Sequence, residues 1–354
     1  MEAPKILDKI ISGEKLDFNQ AASLMKAIME EKLSPLHTAA ILASLRLRGE
    51  TPEEIAGFAS AMREKAVPFL IPTQEVVDNC GTGGDGKSTF NVSTASALLG
   101  WACGVPVVKH GNRSISSKSG SADLLEALGI KINLVPQTMQ KAFLETQFAF
   151  LFAPLYHPAM KAVQPIRREL GIRTVFNILG PLTNPAPVAY RVVGVYDRKL
   201  LPLVAEAMKR LKVKRACILW GEPGIDEASI SGTTYFMLVE EGEVKGEFTL
   251  HPEEVGFECL PLEEIKGGNP SENARTFLRL LEERRVDTPL SKAIMLNTAF
   301  LLYIFGKATT LSAGIKIARK TLESGKALEK IRSLIAFHQS IEQNGQGGNH
   351  GRHS

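Results

Sequence analysis

Apolar positions between residues 5 and about 68 recur at helical spacing, with no segment of strand character. The pattern predicts four consecutive helices, and therefore a small helical domain. Polar caps and glycines set the expected helix ends, at Gly13, Asn19, Ser34, Gly49 and Thr51.

From about residue 74 the pattern changes to short β-branched runs that alternate with helical segments. EVVDNC precedes VSTASALLGWACG, VPVVKH precedes SADLLEALGI, and VVGVYD precedes KLLPLVAEAMKRL. ACILW then leads into a hairpin-like segment, and the chain is helical again after about residue 270. Alternation of this kind predicts a mainly parallel sheet covered by helices.

The predicted fold class is therefore α/β, with a small all-helical domain and a larger α/β domain whose central, mainly parallel sheet is flanked by helices. We assign residues 1–70, plus about 160–188, to the helical domain, because a Pro- and Gly-containing insertion interrupts the strand–helix alternation there. Residues 71–159 and 189–341 form the α/β domain. The polar tail, 342–354, is expected to be disordered.

Composition narrows the class of protein. Of the 354 residues, 44% are hydrophobic and 23% charged, which is typical of a globular enzyme. The net charge of +4 comes without a basic run interleaved with aromatic residues, so nucleic acid is not an expected partner. No membrane partner is expected either, because the longest apolar stretch, 293–306, is too short to span a bilayer. Four widely spaced cysteines indicate reduced thiols and a cytoplasmic location.

The segment GTGGDGKS, 81–88, satisfies the P-loop string G-x-x-x-x-G-K-[ST]. Its context disagrees with that interpretation. Asp78 and Asn79 stand in the preceding strand where buried apolar residues belong, and the next helix is expected to begin near residue 93. Lys87 and Ser88 would then lie in a loop, away from the helix N-terminus where a P-loop binds phosphate.

An elongated anion-binding loop is the favoured interpretation. The glycines supply backbone N–H donors, Asp85 can bind hydroxyls, and Asn91, Ser93 and Thr94 lie at a helix N-terminus. A glycine-rich turn with ordinary helix capping is the alternative.

A second candidate site follows the strand Val105–Val108, which places Lys109 and His110 at its carboxyl end. A Ser/Gly-rich loop carrying Arg113 comes next, and Ser121 is expected to cap the following helix. Basic groups, hydroxyls and a helix N-terminus together indicate phosphate or pyrophosphate binding.

For two further clusters, the residues alone leave two interpretations open. Arg167, Arg168 and Arg173 could bind a carboxylate, or they could simply face water. Asp226 and Glu227 follow the strand ACILW and could bind Mg²⁺, or they could form an exposed acidic turn.

Five segments, taken together and in order, resemble the anthranilate phosphoribosyltransferase family, whose fold is shared with pyrimidine nucleoside phosphorylases. The segments are GTGGDGKSTFNVST, KHGNRSISSKSGSADLLEALG, APLYHPAMK, RRELGIRTVFNILGPLTNPA and GIDEAS. The resemblance covers nearly the whole chain except the tail. Ala228, where the family commonly has a larger apolar residue, is a minor departure.

The resemblance implies transfer of the 5-phosphoribosyl group of phosphoribosyl pyrophosphate to the amine of anthranilate, with Mg²⁺, in tryptophan biosynthesis. It also implies a homodimer formed through the helical domain and an active site between the domains. A nucleoside phosphorylase, a P-loop NTPase and a non-enzymatic nucleic-acid-binding relative remain as competing interpretations.

The resemblance also assigns residues. The expected contacts to phosphoribosyl pyrophosphate are Gly81, Gly84, Asp85, Thr89, Asn91, Ser93, Thr94, Lys109, Gly111, Asn112, Arg113 and Ser121. The expected anthranilate contacts are Gly81, His110, Asn112, His157, Arg167 and Pro181. Ser93, Asp226 and Glu227 are expected to bind the metal, and Lys109, His110 and Arg167 to be catalytic. Whether His110 acts as a base or only positions substrate, and how many Mg²⁺ ions bind, stay open.

Overall fold

The computed structural model describes residues 2–114 and 118–341. Its centre is one seven-stranded sheet in the order β3-β2-β1-β4-β5-β6-β7. The strands are β1 Val77–Gly81, β2 Val107–Gly111, β3 Phe148–Phe152, β4 Tyr190–Gly194, β5 Arg215–Gly221, β6 Thr234–Glu240 and β7 Glu243–Leu250. Strands β1 to β5 are parallel, and β6 and β7 are antiparallel. The predicted α/β class with a mainly parallel sheet is confirmed.

Helices precede, follow and connect these strands. The N-terminal four are α1 Ala3–Ile11, α2 Phe18–Met29, α3 Pro35–Arg48 and α4 Pro52–Glu64. Those within the strand–helix alternation are α5 Val92–Ala102, α6 Ser121–Ala127, α7 Pro136–Thr146, α8 Ala153–Tyr156, α9 Met160–Leu170, α10 Phe176–Leu179 and α11 Leu200–Arg210. The last are α12 Pro270–Glu282, α13 Pro289–Phe305, α14 Leu311–Glu323 and α15 Lys326–Ser340.

The caps of the N-terminal helices follow the sequence signals with one exception. Ser34 and Thr51 cap α3 and α4 through their side chains, as predicted. The expected cap of α2, Asn19, is wrong, because Asp17 takes that position. The Oδ1 atom of Asp17 accepts from the backbone N–H of Gln20 at 2.8 Å, and the Gln20 side chain accepts from the Asp17 N–H in return. This reciprocal pair satisfies two N–H groups that a cap at Asn19 would leave unpaired.

The insertion after β3 packs onto the N-terminal helices. Helix α9 contacts α2 and α3, and α10 contacts α4. Helices α2 and α4 approach closely at Gly57, where an added Cβ would lie 2.4 Å from the carbonyl oxygen of Phe18. The apolar side chains of these helices form one core with Val193 and Val195 beside the sheet.

Strand β1 lies inside the sheet, between β2 and β4, although its sequence is polar. Asp78 and Asn79 are 1% and 4% exposed. Asp78 accepts hydrogen bonds from the His110 N–H at 3.1 Å and from Asn184 at 2.9 Å, and Asn79 donates to the Ser93 carbonyl at 2.7 Å. Buried polar groups are tolerated when they are paired in this way. The expectation that these residues weaken the strand is therefore wrong.

The apolar stretch near residue 300 is the buried helix α13, packed between α5 and α14. Within 2–114 and 118–341, no helix combines the length and apolar character that crossing a bilayer requires.

Candidate active site

The loops that follow β1, β4 and β5 meet at the carboxyl edge of the sheet. Gly81 and Gly194 are paired neighbours at the ends of β1 and β4. An added Cβ on Gly194 would lie 1.6 Å from the backbone oxygen of Asp226. An added Cβ on Gly81 would lie 2.1 Å from the Oδ2 atom of the same aspartate. Two glycines in adjacent strands thus make the space in which the acidic loop after β5 packs.

The P-loop interpretation fails on where the helix begins. Helix α5 starts at Val92, so Lys87 and Ser88 lie in the preceding loop, as predicted. The Lys87 N–H donates to Asp85 Oδ1 at 3.0 Å, and the Lys87 side chain lies against the backbone at Gly224. The geometry that a P-loop needs, with helix N–H groups directed at a phosphate beside that lysine, is absent from this described loop.

The loop of residues 81–88, called the glycine loop below, contains three glycines with left-handed backbone and is contacted by one arginine. Gly83, Gly84 and Gly86 have φ angles of +65°, +76° and +72°. Arg173 donates to the Gly84 carbonyl and lies 4.2 Å from the centre of the Tyr196 ring. Arg173, considered from sequence as a carboxylate ligand, therefore supports the loop.

Asn91 joins the first loop to the second. Its Oδ1 accepts from the Ser119 hydroxyl and from Asn273 Nδ2, both at 2.9 Å, and its Nδ2 donates to the Ser119 carbonyl at 2.8 Å. Asn91 is the N-cap of α5 by position, but its side chain does not cap the helix. Thr94, in the first turn, has a buried hydroxyl with no partner among the described residues. Thr89, just before the helix, is bridged to Lys266.

Lys109 is buried at the centre of the candidate site. Both Lys109 and His110 lie inside β2, which runs to Gly111, and not after a strand ending at Val108 as expected. Lys109 is 1% exposed, and its Nζ donates to the Asn79 carbonyl. Its charge lowers the pKa of Asp226 and Glu227, although burial dominates for both. One ammonium group thus lies within electrostatic reach of both loop carboxylates.

Of the acidic pair, Glu227 is buried and Asp226 half-buried, and their hydrogen bonding is incomplete. Burial, with repulsion from Asp85, raises the pKa of Asp226 to about 6. Burial and repulsion from Asp226 raise the pKa of Glu227. Asp226 Oδ2 accepts from the Gly83 N–H at 2.6 Å, and Glu227 Oε1 accepts from the Ser93 N–H at 2.9 Å. Glu227 Oε2 is buried without a partner in the described chain.

This donor set fits Mg²⁺. Repulsion from Asp85 adds to the raised pKa of Asp226, and repulsion from Asp226 adds to that of Glu227. A hard divalent cation would offset this repulsion and use the unpaired oxygen. Among the described residues no group of three or more His, Cys, Asp or Glu side chains could hold a metal. Magnesium is commonly bound by one or two carboxylates, with water and substrate phosphates supplying the rest.

Two histidines of the candidate site lie together. The rings of His110 and His157 are 5.2 Å apart between centroids. Burial lowers the pKa of His110 to about 4 and that of His157 to about 3, so both are neutral near pH 7. His110 Nδ1 faces the Gly180 carbonyl at 3.2 Å, next to Pro181, while both Nε2 atoms lack partners among the described residues.

Arg167, on α9, is a half-buried arginine that packs against an aromatic ring. Its guanidinium lies 5.3 Å from the centre of the Phe176 ring, and burial lowers its pKa. It makes no ion pair with any described carboxylate, whereas the neighbouring Arg168 is exposed. A half-buried cation without an ion pair among the described residues is suited to an anionic ligand.

Comparison with known proteins assigns the chain. Residues 73–328 match the glycosyl transferase family, a/b domain, and residues 4–66 match its helical bundle domain. The anthranilate phosphoribosyltransferase of Petrotoga mobilis is 44% identical over 331 residues, which is 94% of this chain and 95% of that protein. The chain belongs to the anthranilate phosphoribosyltransferase family.

Solved structures agree. The anthranilate phosphoribosyltransferase of Thermus thermophilus is 45% identical, with a TM-score of 0.88 over 96% of this chain and 100% of that chain. The Saccharomyces cerevisiae enzyme in complex with PRPP and Mg is 30% identical, with a TM-score of 0.88 over 96% of this chain and 98% of that one. A complex of the same yeast enzyme with 4-fluoroanthranilate gives 0.86 at 29% identity.

In this anthranilate phosphoribosyltransferase family member, the second loop differs in detail from the sequence expectation. Ser121 is the first residue of α6 and Gly120 is its cap, with Asp123 accepting from the Gly120 N–H at 2.8 Å. The Ser121 hydroxyl instead donates to the Asn112 carbonyl at 3.1 Å. Gly111 is required beside it, because a Cβ there would lie 2.3 Å from the Ser121 Oγ. Residues 115–117 of this loop lie outside the described residues.

The side chain of Arg113 is paired with carboxylates of α6. Its Nη1 lies 2.8 Å from both Asp123 and Glu126, and the guanidinium lies 5.7 Å from the centre of the Phe152 ring. In this arrangement its side chain is paired with α6 and not free for a phosphate.

Sequence reasoning missed a buried polar network beneath the histidines. Arg191, in β4, is 2% exposed; its Nη1 donates to the Pro181 carbonyl at 2.9 Å and lies 4.0 Å from Asp78. Asn184 donates to both Asp78 and the Val108 carbonyl at 2.9 Å. The signal was present, since an arginine inside the apolar run YRVVG must be buried with a strong partner.

Proposed function

We infer that the chain transfers the 5-phosphoribosyl group from phosphoribosyl pyrophosphate to the amine of anthranilate, giving N-(5-phosphoribosyl)anthranilate and pyrophosphate. The observation that carries this function is the acidic pair Asp226–Glu227, with its unpaired oxygen, packed against the glycine loop at the carboxyl edge of the sheet. Its relatives along nearly the whole chain are named for the same reaction.

The donor half of the site is the glycine loop with the N-terminus of α5. Backbone N–H groups and hydroxyls there suit the 5-phosphate and the ribose, and Lys109 suits the developing negative charge of the pyrophosphate. The donor contacts assigned from sequence stay proposals, and some of these side chains have other partners in this structure. Arg113 would have to leave Asp123 and Glu126, and the Asn91 side chain is bonded to Ser119 and Asn273.

Asp226, Glu227 and the Ser93 hydroxyl would hold Mg²⁺. When bound, the ion acts as a Lewis acid that neutralises charge on the leaving pyrophosphate. The chain's own part is to hold the two carboxylates adjacent, with the Gly83 and Ser93 N–H groups orienting one oxygen of each. A bound cation would favour their ionised forms against the burial that raises both pKa values.

The acceptor half lies among His110, His157, Pro181 and Arg167. Arg167 binds the carboxylate of anthranilate, and the neutral histidines and Pro181 line an apolar slot for the ring. Asn112 and Gly81 lie between this slot and the site for phosphoribosyl pyrophosphate. Orientation of the amine toward C1 of the ribose follows from holding the carboxylate and the ring together.

The reaction forms the bond from C1 to nitrogen and breaks the bond from C1 to the pyrophosphate oxygen, and the nitrogen loses one proton, which the released pyrophosphate or solvent can accept. The amine of anthranilate is a weak nucleophile, so the sugar carries oxocarbenium character while the leaving group departs, as in glycosyl transfer generally. His110, with a pKa of about 4, is a poor base at neutral pH, and we assign it a positioning role.

One assay tests the function. Protein, Mg²⁺, phosphoribosyl pyrophosphate and anthranilate are mixed, and the fall of anthranilate fluorescence is followed. The fall must require all four components. No loss of fluorescence, with release of phosphate from ATP or phosphorolysis of a pyrimidine nucleoside instead, would contradict the assignment and favour the P-loop or phosphorylase interpretation.

We also propose that the chain forms a homodimer through its helical domain. Leu36 and Leu47 are 79% and 91% exposed, and eleven residues apart in α3 they lie on the same helix face. A Leu47→Glu variant should be monomeric by light scattering, and a Leu70→Glu variant, also exposed but outside α3, should remain dimeric. A wild-type monomer would refute the proposal.

The domain boundaries and the cytoplasmic location expected from sequence stay proposals. The packing of α9 and α10 on α2 to α4 supports assigning residues 160–188 to the helical domain.

A further inference from the structure

A polar cavity lies at the opposite edge of the sheet from the candidate active site. It measures about 230 Å³ and is lined by Arg63, Arg191 and the segments 74–75, 186–189 and 211–214. These segments directly precede β1, β4 and β5, so the cavity is at the amino ends of the parallel strands. Nothing in the proposed reaction uses it.

Two guanidinium groups at this cavity are only partly satisfied. Arg63 Nε donates to the Leu182 carbonyl at 2.6 Å, and Arg191 Nη1 donates to the Pro181 carbonyl at 2.9 Å. Arg63 Nη2 and Arg191 Nε are both buried and have no hydrogen-bond partner among the described residues. Leaving a charged donor unpaired in this way is costly.

Charge is also uncompensated here. The two guanidiniums are close enough that the charge of Arg191 adds to burial in lowering the pKa of Arg63. Asp78 is the carboxylate that offsets them, 4.0 Å from Arg191. Its oxygens already accept from the His110 N–H and from Asn184, and burial raises its pKa. One carboxylate can neutralise at most one of the two arginines.

The rim of the cavity adds positive charge. Lys214 is paired with Glu75 at 2.8 Å, so these two cancel. Lys212 is exposed and has no ion pair among the described residues. The excess charge at the cavity is therefore positive, from the interior arginines to the mouth.

We propose that this cavity binds a small tetrahedral oxyanion of the phosphate class, held between Arg63 and Arg191 with Lys212 at the entrance. Arginine N–H groups match phosphate oxygens in charge and geometry. Arg63, Arg191 and Lys212 carry three positive charges, and Asp78 offsets one of them. A dianion would offset the remaining two, whereas a monovalent carboxylate ligand would offset one. The volume accommodates such an anion.

The first test uses the full-length wild-type protein and locates the anion directly. Crystals soaked in sodium tungstate, a tetrahedral oxyanion with a strong anomalous signal, should show tungsten between Arg63 and Arg191. Anomalous signal at the carboxyl-edge glycine loop, with none in this cavity, would overturn the proposal.

The second test measures inorganic phosphate by calorimetry, at constant ionic strength and without Mg²⁺. Arg63→Gln should weaken binding at this site at least tenfold, or about 1.4 kcal/mol. Arg198→Gln, which removes an arginine from an exposed pair with Glu247, is the matched control and should bind as the wild type does. Should Arg63→Gln fail to fold, Arg191→Lys keeps the charge but loses the planar fork and should weaken phosphate similarly.

Equal phosphate affinity in wild type and Arg63→Gln would overturn the proposal. Acetate binding that matches phosphate in affinity and in sensitivity to Arg63→Gln would overturn the assignment of a dianion.

Discussion

Asp226→Asn should stabilise the metal-free protein while it abolishes the reaction. Burial and repulsion raise the pKa of Asp226 from 3.8 to about 6, so the folded chain disfavours the ionised carboxylate. About two pKa units, at about 1.4 kcal/mol each, correspond to about 3 kcal/mol of free energy of unfolding at pH 8. Asparagine has no charge to bury and keeps an oxygen for the Gly83 N–H.

The sign follows from proton binding. Between the unfolded pKa of 3.8 and the folded value of about 6, the folded state holds more protons, so the stability of the wild type falls as pH rises. Above pH 6 the full free-energy cost of ionising Asp226 in the folded state persists. The stability difference between variant and wild type should therefore be largest at pH 8 and about half as large at pH 5.

Urea unfolding in EDTA, followed by fluorescence of Trp101 and Trp220, measures this difference. Asp8→Asn, which changes an exposed aspartate on α1, is the control and should show no such difference. Added Mg²⁺ with phosphoribosyl pyrophosphate should stabilise the wild type far more than the Asp226→Asn variant. Equal or lower stability of the variant at pH 8 would refute the view that Asp226 is held in a disfavoured charge state for metal binding.

Three other predictions concern single groups. Arg167→Ala should raise the KM for anthranilate by about 10²-fold, the equivalent of about 3 kcal/mol, with a much smaller change in the KM for phosphoribosyl pyrophosphate; equal changes in steady-state kinetics would contradict its role. Lys109→Met should lose at least about 10²-fold in kcat, whereas Lys87→Ala should stay within about threefold of wild type, and the reverse order would restore the P-loop interpretation. Gly194→Ala should yield little folded protein by circular dichroism, because its Cβ would lie 1.6 Å from a backbone oxygen of Asp226.

Local signals allowed most of the fold to be predicted. Ser34 and Thr51 cap their helices through residues three positions away, and such signals are complete within a short window. The prediction of Asn19 as a cap is wrong although the sequence carries the local signal for the true one, since Asp17 and Gln20 are spaced as a capping box.

Hydrogen-bond partners that are far apart in the sequence limited how much of the fold and of the site could be predicted. Asp78 looked unsuited to a central strand because its partner Asn184 is 106 residues away, and pairing between such distant residues leaves no pattern in one sequence. For the same reason Asn273, which binds Asn91 from 182 residues away, was absent from the predicted site. The candidate loops themselves were predictable, since strand ends and glycines mark them locally.

The glycine loop shows why a motif string needs its structural context. Residues 81–88 satisfy the P-loop pattern, and Gly83, Gly84 and Gly86 adopt the left-handed backbone typical of anion-binding loops. What differs is the start of the helix, four residues after Ser88, which removes Lys87 from the helix N-terminus. The positive charge comes instead from Lys109, on the neighbouring strand and beside the two carboxylates. The backbone chemistry that binds an anion is thus retained, while the charged groups that decide the reaction come from two other loops, which the string does not describe.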